Sequence, residues 1–402
     1  MPPFPASAAV GPEGHNLRFW TLCHPPRGIG RWRRGAQHTE AGSHLAPFLK
    51  GSMMTIQKGF GGAMKFEAIK KETIMLNPNE NMAERRIASE VRLDPLTGRT
   101  ARICHFMKLR WEKPDFEALI AGTESWCPFC ADKVLKVTPC FPKALITEGR
   151  MQKKDMVIFP NIAPYDSIGA VATFGPHYIP MTDLTPELIA SAFGFALDFF
   201  RRVEHSGHPE SVYHIINWNY MPPAGSSLIH PHLQVFSTSS APNLLRQELE
   251  ASKNYLEDHG SNFWDDLVLA EKAAGQRYLG KIGRTHWMTS FAPMGVAGDV
   301  LVVVEKVCCT LDLEEQDLVD LAIGIANALA EYDKMGIYSF NLNFFTGAAS
   351  DEHFRFHVLF SPRTFFNQKL GTPDIGALRN LFNESLCMAY PEEIRELLKQ
   401  GF

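Results

Sequence analysis

The sequence predicts an α+β fold in which one unit, an antiparallel sheet flanked by helices, occurs twice. Three observations carry this. Helical runs are interspersed with short strand runs at hairpin-like spacing, which argues for a mixed rather than an all-parallel architecture. The order strand, helix, strand, loop, histidine-bearing strand runs over 170–237 and again over 300–360, and repetition on that scale decides the architecture. The chain of 402 residues, 45% hydrophobic and 21% charged, is long enough to bury a large core without staples.

Residues 1–60 stand apart. They are rich in Pro, Gly, His and Arg and show neither strand nor helix period. A disordered leader or upstream segment outside the function is expected there. Residues 1–53 carry six basic side chains against two acidic ones, which leaves 34 basic against 42 acidic in the remainder. An acidic body argues against nucleic acid as partner. No apolar run reaches the roughly 18 residues of a membrane span, and no basic n-region followed by an apolar stretch opens the chain. No membrane partner and a cytoplasmic location are therefore expected.

The folded body is expected from Phe66, with 61–240 as a first domain and 241–402 as a second. Arg92-Leu93-Asp94-Pro95-Leu96-Thr97-Gly98 contains a turn, punctuated by Asp-Pro and Gly. Residues 170–174 read as a strand. Thr185-Pro186-Glu187 starts a helix, with Thr as N-cap and Pro in the first helical position, running to 203. Strands follow at 212–217 and 229–237. In the second half, 300–305 is a strand, Asp312 opens a helix to 335, and 338–345 and 353–360 are strands. The leads into the two helices also match: Met181-Thr182-Asp183-Leu184 and Thr310-Leu311-Asp312-Leu313. Each half is expected to end in a strand with two histidines, His230 and His232 in the first, His353 and His357 in the second. Trp111, Trp126 and Trp264 are expected in the core, as are Cys104, Cys140, Cys308, Cys309 and Cys387.

The most informative stretch is Gly225-Ser226-Ser227-Leu228-Ile229-His230-Pro231-His232-Leu233-Gln234. On one continuous strand His230, His232 and Gln234 would share a face, and Pro231 would put that strand at an edge or a bulge. Ser226, Ser227 and nearby backbone N–H groups suit an anion cradle. An isolated His-x-His is ordinarily a hydrogen-bonded polar face. With Gly-Ser-Ser before it and Gln after it, phosphoryl chemistry is the better reading. Cys127-Pro128-Phe129-Cys130, in a chain without a secretory leader, reads first as a metal or redox pair. His177 and His230 are candidates to complete a tetrahedral zinc site. A pair of buried small residues, or a redox pair, remain the alternatives.

Gly225-x-Ser227-x2-His230-Pro231-His232-x-Gln234 resembles the active-site motif of the galactose-1-phosphate uridylyltransferases, the transferase branch of the histidine-triad superfamily. The resemblance extends over about 85–400 and implies a duplicated histidine-triad-like fold. It implies that His232 is the nucleophile and that Gln234 and Ser227 hold the nucleotide phosphates. It also implies that Asn219, Gly225 and Ser226 lie at the phosphate end, and that Cys127, Cys130, His177 and His230 bind one structural zinc. Arg92, in Arg92-x2-Pro95-Leu96-Thr97, and Asn161, at the start of a base-binding segment, match further substrate-binding positions. Glu384 matches a glutamate that holds hexose hydroxyls. The implied activity moves a nucleoside monophosphate, UMP in that family, between sugar 1-phosphates, in a homodimer.

Three departures stand out. Ile162 replaces an Asp beside the base-binding Asn. Leu233 replaces a Gly, as in the dinucleoside polyphosphate phosphorylases of the same branch. Glu248 and His357 match two of four ligands of a second metal, but Leu359 and the Phe344–Phe345 region replace the others, so no second metal is expected. A phosphorylase or hydrolase of adenine dinucleotides or ADP-sugars, and a non-catalytic zinc module that binds nucleotides, are the competing readings.

Overall fold

In the computed structural model, which describes the backbone of Thr55–Lys58 and residues 64–105 and 111–402, the strands gather into a five-stranded and a ten-stranded sheet. The expectation for residues 1–60 lies outside the described residues, except at Thr55–Lys58. That segment pairs antiparallel with 65–68, so regular structure begins ahead of Phe66.

In chain order, β1 (Thr55–Lys58), β2 (Lys65–Asn77), β3 (Ala83–Leu93) and β4 (Thr100–Ile103) come first. Three short helical turns, α1 (Phe116–Ile120), α2 (Thr123–Trp126) and α3 (Val134–Val137), surround the cysteine loop. Next come β5 (Met151–Lys153), β6 (Met156–Pro160), β7 (Ile168–Thr173), α4 (Pro186–His205), β8 (Tyr213–Tyr220) and β9 (His232–Thr238). Two helices, α5 (Asn243–His259) and α6 (Phe263–Ala274), lead to the second half. It contains β10 (Tyr278–Ile282), β11 (Thr285–Thr289), β12 (Val300–Val304), α7 (Glu315–Lys334), β13 (Ser339–Phe345) and β14 (His357–Arg363). The chain closes with β15 (Ser385–Cys387), which pairs parallel with β4, and α8 (Pro391–Leu398). The architecture is α+β, with largely antiparallel sheets and helices against them, as expected.

The expected caps are present. The Leu188 N–H donates to Thr185 Oγ1 at 3.3 Å, and Pro186 occupies the first turn of α4. Asp94 Oδ1 accepts from the backbone N–H groups of Leu96 and Thr97 at 3.2 and 2.8 Å, and Gly98 takes φ +71° to close that turn. The α7 start differs: Thr310–Asp312 is a single 3-10 turn, and Glu314 caps the α-helix in a reciprocal capping box with Asp317.

The ten-stranded sheet runs β10-β11-β12-β14-β13-β8-β9-β7-β6-β5. Its two halves meet where β8 pairs antiparallel with β13, Asn217 opposite Asn343 and Asn219 opposite Asn341. Alternation along β8 puts Ile216, Trp218 and Tyr220 in the core and leaves the asparagines on the other face. On the core face Phe193, Phe199 and Phe200 of α4 and Leu321, Ile325 and Tyr332 of α7 join Leu233, Val235, Leu342 and Phe360. On the other face α5, α6 and the five-stranded sheet contribute Leu245, Leu249, Trp264 and Phe66 to a second cluster.

Two of the expected strands start late. β9 begins at His232 and β14 at His357. Pro231 has no N–H to donate to a ladder, so His230 precedes its strand and does not share the ladder face with His232 and Gln234. His353 lies in a turn whose carbonyl accepts from Asn262 Nδ2 at 2.9 Å, not four residues along one strand from His357. Trp126 is 58% exposed, contrary to the expected core position, whereas Trp264 is buried. Cys140 is also exposed rather than packed.

A buried ionic network fastens the five-stranded sheet to the rest. Arg277, fully buried, donates to Glu271 Oε1 at 2.9 Å and to Glu392 Oε1 at 2.8 Å, and Arg92 reaches both Glu392 oxygens at 3.0 Å. Both guanidinium groups lie over the Phe291 ring at 4.9 and 4.8 Å. Removing one partner from such a group strands the others without solvent. Arg277→Ala is therefore expected to lower unfolding stability by about 3–5 kcal/mol in chemical denaturation. Arg277→Met with Glu271→Leu should recover much of the loss.

Candidate active site

The loop Cys127–Cys130 is brought against the segment leading into β9. Donor atoms of Cys127, Cys130, His177 and His230 all lie within 4.8 Å of one another. The Nδ1 atom of His230 is 3.8 Å from Cys127 Sγ and 3.9 Å from Cys130 Sγ, and His177 Nδ1 is 3.3 Å from Cys130 Sγ. Bonds of about 2.3 Å to sulfur and about 2.0 Å to nitrogen would set such ligands about 3.5 Å apart around a tetrahedral zinc.

Neighbouring groups orient both rings. The carbonyl of Phe174 can only accept, so His230 donates Nε2–H to it at 2.6 Å and keeps Nδ1 free for a metal. Thr123 gives its hydroxyl proton to Ile120 O at 2.7 Å, so it accepts Nε2–H from His177 at 2.8 Å. The second Nδ1 is thereby also free. Burial, with Cys127 adjacent, pushes the Cys130 thiol up to about 11. The donor set fits one four-coordinate zinc with no open position.

His232, the first residue of β9, keeps 7% of its surface exposed. Its Nδ1–H donates to the backbone carbonyl of His230 at 2.9 Å, which fixes the tautomer and leaves a lone pair on Nε2. Burial lowers its pKa against the partial support of that hydrogen bond, so the ring is neutral at neutral pH. Phe129, between the two cysteines, sets its ring edge-on to His232 at 5.3 Å and to His230 at 6.0 Å. Phe129 was not singled out in the sequence. Its position inside a Cys-x-x-Cys loop was the available signal.

The cradle loop connects β8 to this pair. Met221 enters it at φ +68° and ψ 162°, a conformation that costs a non-glycine residue about 1–3 kcal/mol. Gly225 leaves the turn at φ +86°. Two donors from the second half hold the strained turn: Asn341 Nδ2 donates to Ala224 O at 2.8 Å, and Arg363 Nε donates to Pro223 O at 3.3 Å. Ser226 spends its hydroxyl on Leu228 O at 2.7 Å, while Ser227 is exposed. Gln234, half-buried, is in register with Asn217 across β8.

A cleft of about 1000 Å³ opens beside this loop, lined by Gly225, Asn217, Asn341, Asn343, Arg246 and Glu384 among others. The Glu384 carboxylate pairs with Arg102 and accepts from Thr100 Oγ1 at 2.8 Å. Asn161 caps the end of β6, its Oδ1 accepting from Ala163 N–H at 3.0 Å. Next to it Ile162 is 84% exposed, and Tyr165 stacks on Phe236 at 5.5 Å. Arg92 is not brought to this group: it lies on β3, buried, with its donors committed to Glu90, Glu392 and Phe291 O.

In the second half His357 repeats the geometry of His232. Its Nδ1–H donates to the carbonyl two residues back, Arg355 O, at 3.0 Å. There the likeness stops. Trp264 stacks on the ring at 4.0 Å and Phe345 at 4.8 Å. Glu248 Oε2 lies 3.5 Å from Nε2, and Leu359 and Phe345, which line the same small cavity, offer no donor. Two of the four positions expected to hold second-metal ligands thus lack a donor atom.

Comparison with solved structures returns a GalT-like protein of Arabidopsis thaliana at TM-score 0.59, with 16% identity, over 78% of this chain and 98% of that one. An ADP-glucose phosphorylase of Arabidopsis thaliana with bound ADP-glucose superposes equally, at TM-score 0.59 and 16% identity, over 78% of this chain and 99% of its own. A uridylyltransferase follows at TM-score 0.55 and 19% identity, over 77% and 98%. The chain has the uridylyltransferase fold. Two relatives match in sequence. An uncharacterized protein of Archaeoglobus fulgidus is 29% identical over 314 residues, 77% of this chain and 92% of its own. The galactose-1-phosphate uridylyltransferase of Haemophilus influenzae is 27% identical over 145 residues, 34% of this chain and 41% of its own. No family model matches the chain. Among the described residues of this uridylyltransferase fold, no helix is long and apolar enough to cross a membrane.

The purified chain is expected to carry one zinc per molecule by elemental analysis. Cys130→Ser should lose that zinc and lower the Tm by about 5–10 °C.

Proposed function

We propose that the chain is a nucleotidyltransferase that passes a nucleoside monophosphate through a covalent histidine intermediate. The observation that carries this is the His232–His230 hydrogen bond at 2.9 Å, which leaves Nε2 of a neutral ring as a nucleophile. Nε2 attacks the α-phosphorus of a nucleoside diphosphate sugar. A P–N bond forms, the bridging P–O bond breaks, and the sugar 1-phosphate leaves with the electron pair. A second phosphate then attacks the same phosphorus, and the P–N electrons return to His232.

Ser227, Gln234, Asn219 and the backbone N–H groups around Gly225 would stabilise charge on the phosphoryl oxygens. Gln234 cannot act as a general acid near neutral pH. That favours acceptors already ionised, sugar phosphates or orthophosphate, over water. Zinc bound by Cys127, Cys130, His177 and His230 would fix the lead into β9, hence the carbonyl that orients His232, and would take no part in the chemistry. Asn161 and Glu384 are assigned to the base and sugar ends. Arg92 acts through the packing of β3.

A uridine nucleotide with a hexose 1-phosphate acceptor is the first reading, from the Gly225 to Gln234 motif. The second is a phosphorylase acting on an ADP-sugar, kept open by Ile162 in place of an Asp beside the base-binding Asn161 and by Leu233 in place of a Gly. Both use the same His232 step.

Incubation with UDP-glucose or ADP-glucose labelled at the α-phosphate, without acceptor, should label the protein, and the better donor names the base. His232→Asn should not label and should lose at least about a thousandfold in turnover. Labelling of that variant to the wild-type level would remove His232 from the mechanism.

A further inference from the structure

Two hydrogen bonds across the β8–β13 seam form a two-fold pair. Asn217 Nδ2 donates to Asn343 Oδ1 at 2.7 Å, and Asn341 Nδ2 donates to Asn219 Oδ1 at 2.7 Å. The repeat that sets His357 in the place of His232 and Leu359 in that of Gln234 sets Asn343 in the place of Asn217, because Gln234 pairs with Asn217 and Leu359 with Asn343. Asn341 also donates to the carbonyl of Ala224, which can only accept, so its amide orientation is fixed and the oxygen of Asn219 must face it. The Nδ2 groups of Asn219 and Asn343, whose oxygens accept these two bonds, have no protein partner among the described residues. Both side chains are half-buried, and Asn343 lines the large cleft.

We propose that Asn343 binds a second phosphate in this cleft, the one that leaves on the sugar and returns on the acceptor. The identity of the ligand rests on the transferase reading; the anion subsite rests on the geometry. Asn219 and Asn343 are diagonal neighbours on adjacent strands, about 7–8 Å apart at the backbone. A phosphate held from both sides by hydrogen bonds of about 2.9 Å spans that separation.

The charge around them suits an anion. Asp374 and Glu384 line the cleft but are tied to Arg363, Arg379 and Arg102. Arg246 pairs with the neutral Asn243 side chain, and Arg99 with the carbonyl of Ala292, so neither has a carboxylate partner among the described residues. The second half has no chemistry of its own to serve with this amide. His357 is closed between Trp264 and Phe345, and Leu359 stands where Gln234 stands in the first half. Asn343 instead lines the cleft beside Gly225 and Asn217. Its carbonyl bond to Asn217 places it in register with Gln234, two strands away.

Calorimetric titration of the zinc-loaded protein with orthophosphate and with glucose 1-phosphate tests this. Asn343→Ala should weaken both about tenfold, and Asn343→Asp, which keeps the shape and presents an anion, should abolish measurable binding. Asn217→Ala, which frees the amide to rotate, should weaken both by less. Zinc content and Tm report that each variant is folded. Unchanged affinity, within twofold, in both Asn343 variants overturns the proposal, as does absence of binding of either probe to the wild type at millimolar concentration. Weakened phosphate binding in a protein that never labels at His232 would leave the subsite standing and remove the transferase reading. Labelling with unaltered phosphate affinity would do the reverse.

Discussion

The pairing of β8 with β13 is the constraint on which the rest of the molecule depends. Without it each half would present an unpaired strand edge beside its own functional loop. With it, ten strands form one sheet, and the core face carries α4 and α7 side by side over a continuous apolar surface. On the opposite face the seam places four asparagines together and lets Asn341 and Arg363 reach the carbonyls of a loop from the other half. The strained Met221 is tolerated because that loop is held from outside itself.

His230 is the second point of convergence. Its three polar groups each have a separate task. The backbone carbonyl accepts from His232, Nε2–H donates to Phe174, and Nδ1 faces the two cysteine sulfurs. The metal centre and the reactive ring are thus coupled through one residue with no freedom to rotate. Pro231 makes this arrangement accessible: by ending the ladder ahead of His232 it releases His230 from the sheet face and lets its ring turn to the cysteines.

The two halves have diverged by packing rather than by backbone. The tautomer-fixing hydrogen bond is retained at His357, but α6 lays Trp264 on one face of the ring and β13 lays Phe345 on the other. Glu248 is left beside it, where burial raises its carboxyl pKa. The same helix pair that closes this second site supplies Arg246 to the open cleft.

Much of the fold was legible because its signals are local. Thr185 and Pro186 cap a helix wherever they stand, alternation in Tyr213–Tyr220 announces a half-buried strand, and a Cys-x-x-Cys loop needs two more ligands. The Gly225 to Gln234 motif pointed to the uridylyltransferase fold that the structure bears out. The matching Asn217-Trp218-Asn219 and Asn341-Leu342-Asn343 triplets were also in plain view, but their meaning was not, since it lies in the register between strands more than 120 residues apart. Likewise nothing local says that Glu384 meets Arg102, that Arg92 is spent on Glu392, or that Trp264 covers His357. The sequence by itself determined the central strands and the two long helices of the repeat, the duplication and the chemistry-bearing residue types, because these rest on periodicity and on bonds between near neighbours. Tertiary structure alone decided which histidine is closed between aromatic rings, which carboxylates are neutralised and which amides line the cleft, because those depend on pairings over long separations that no local pattern encodes.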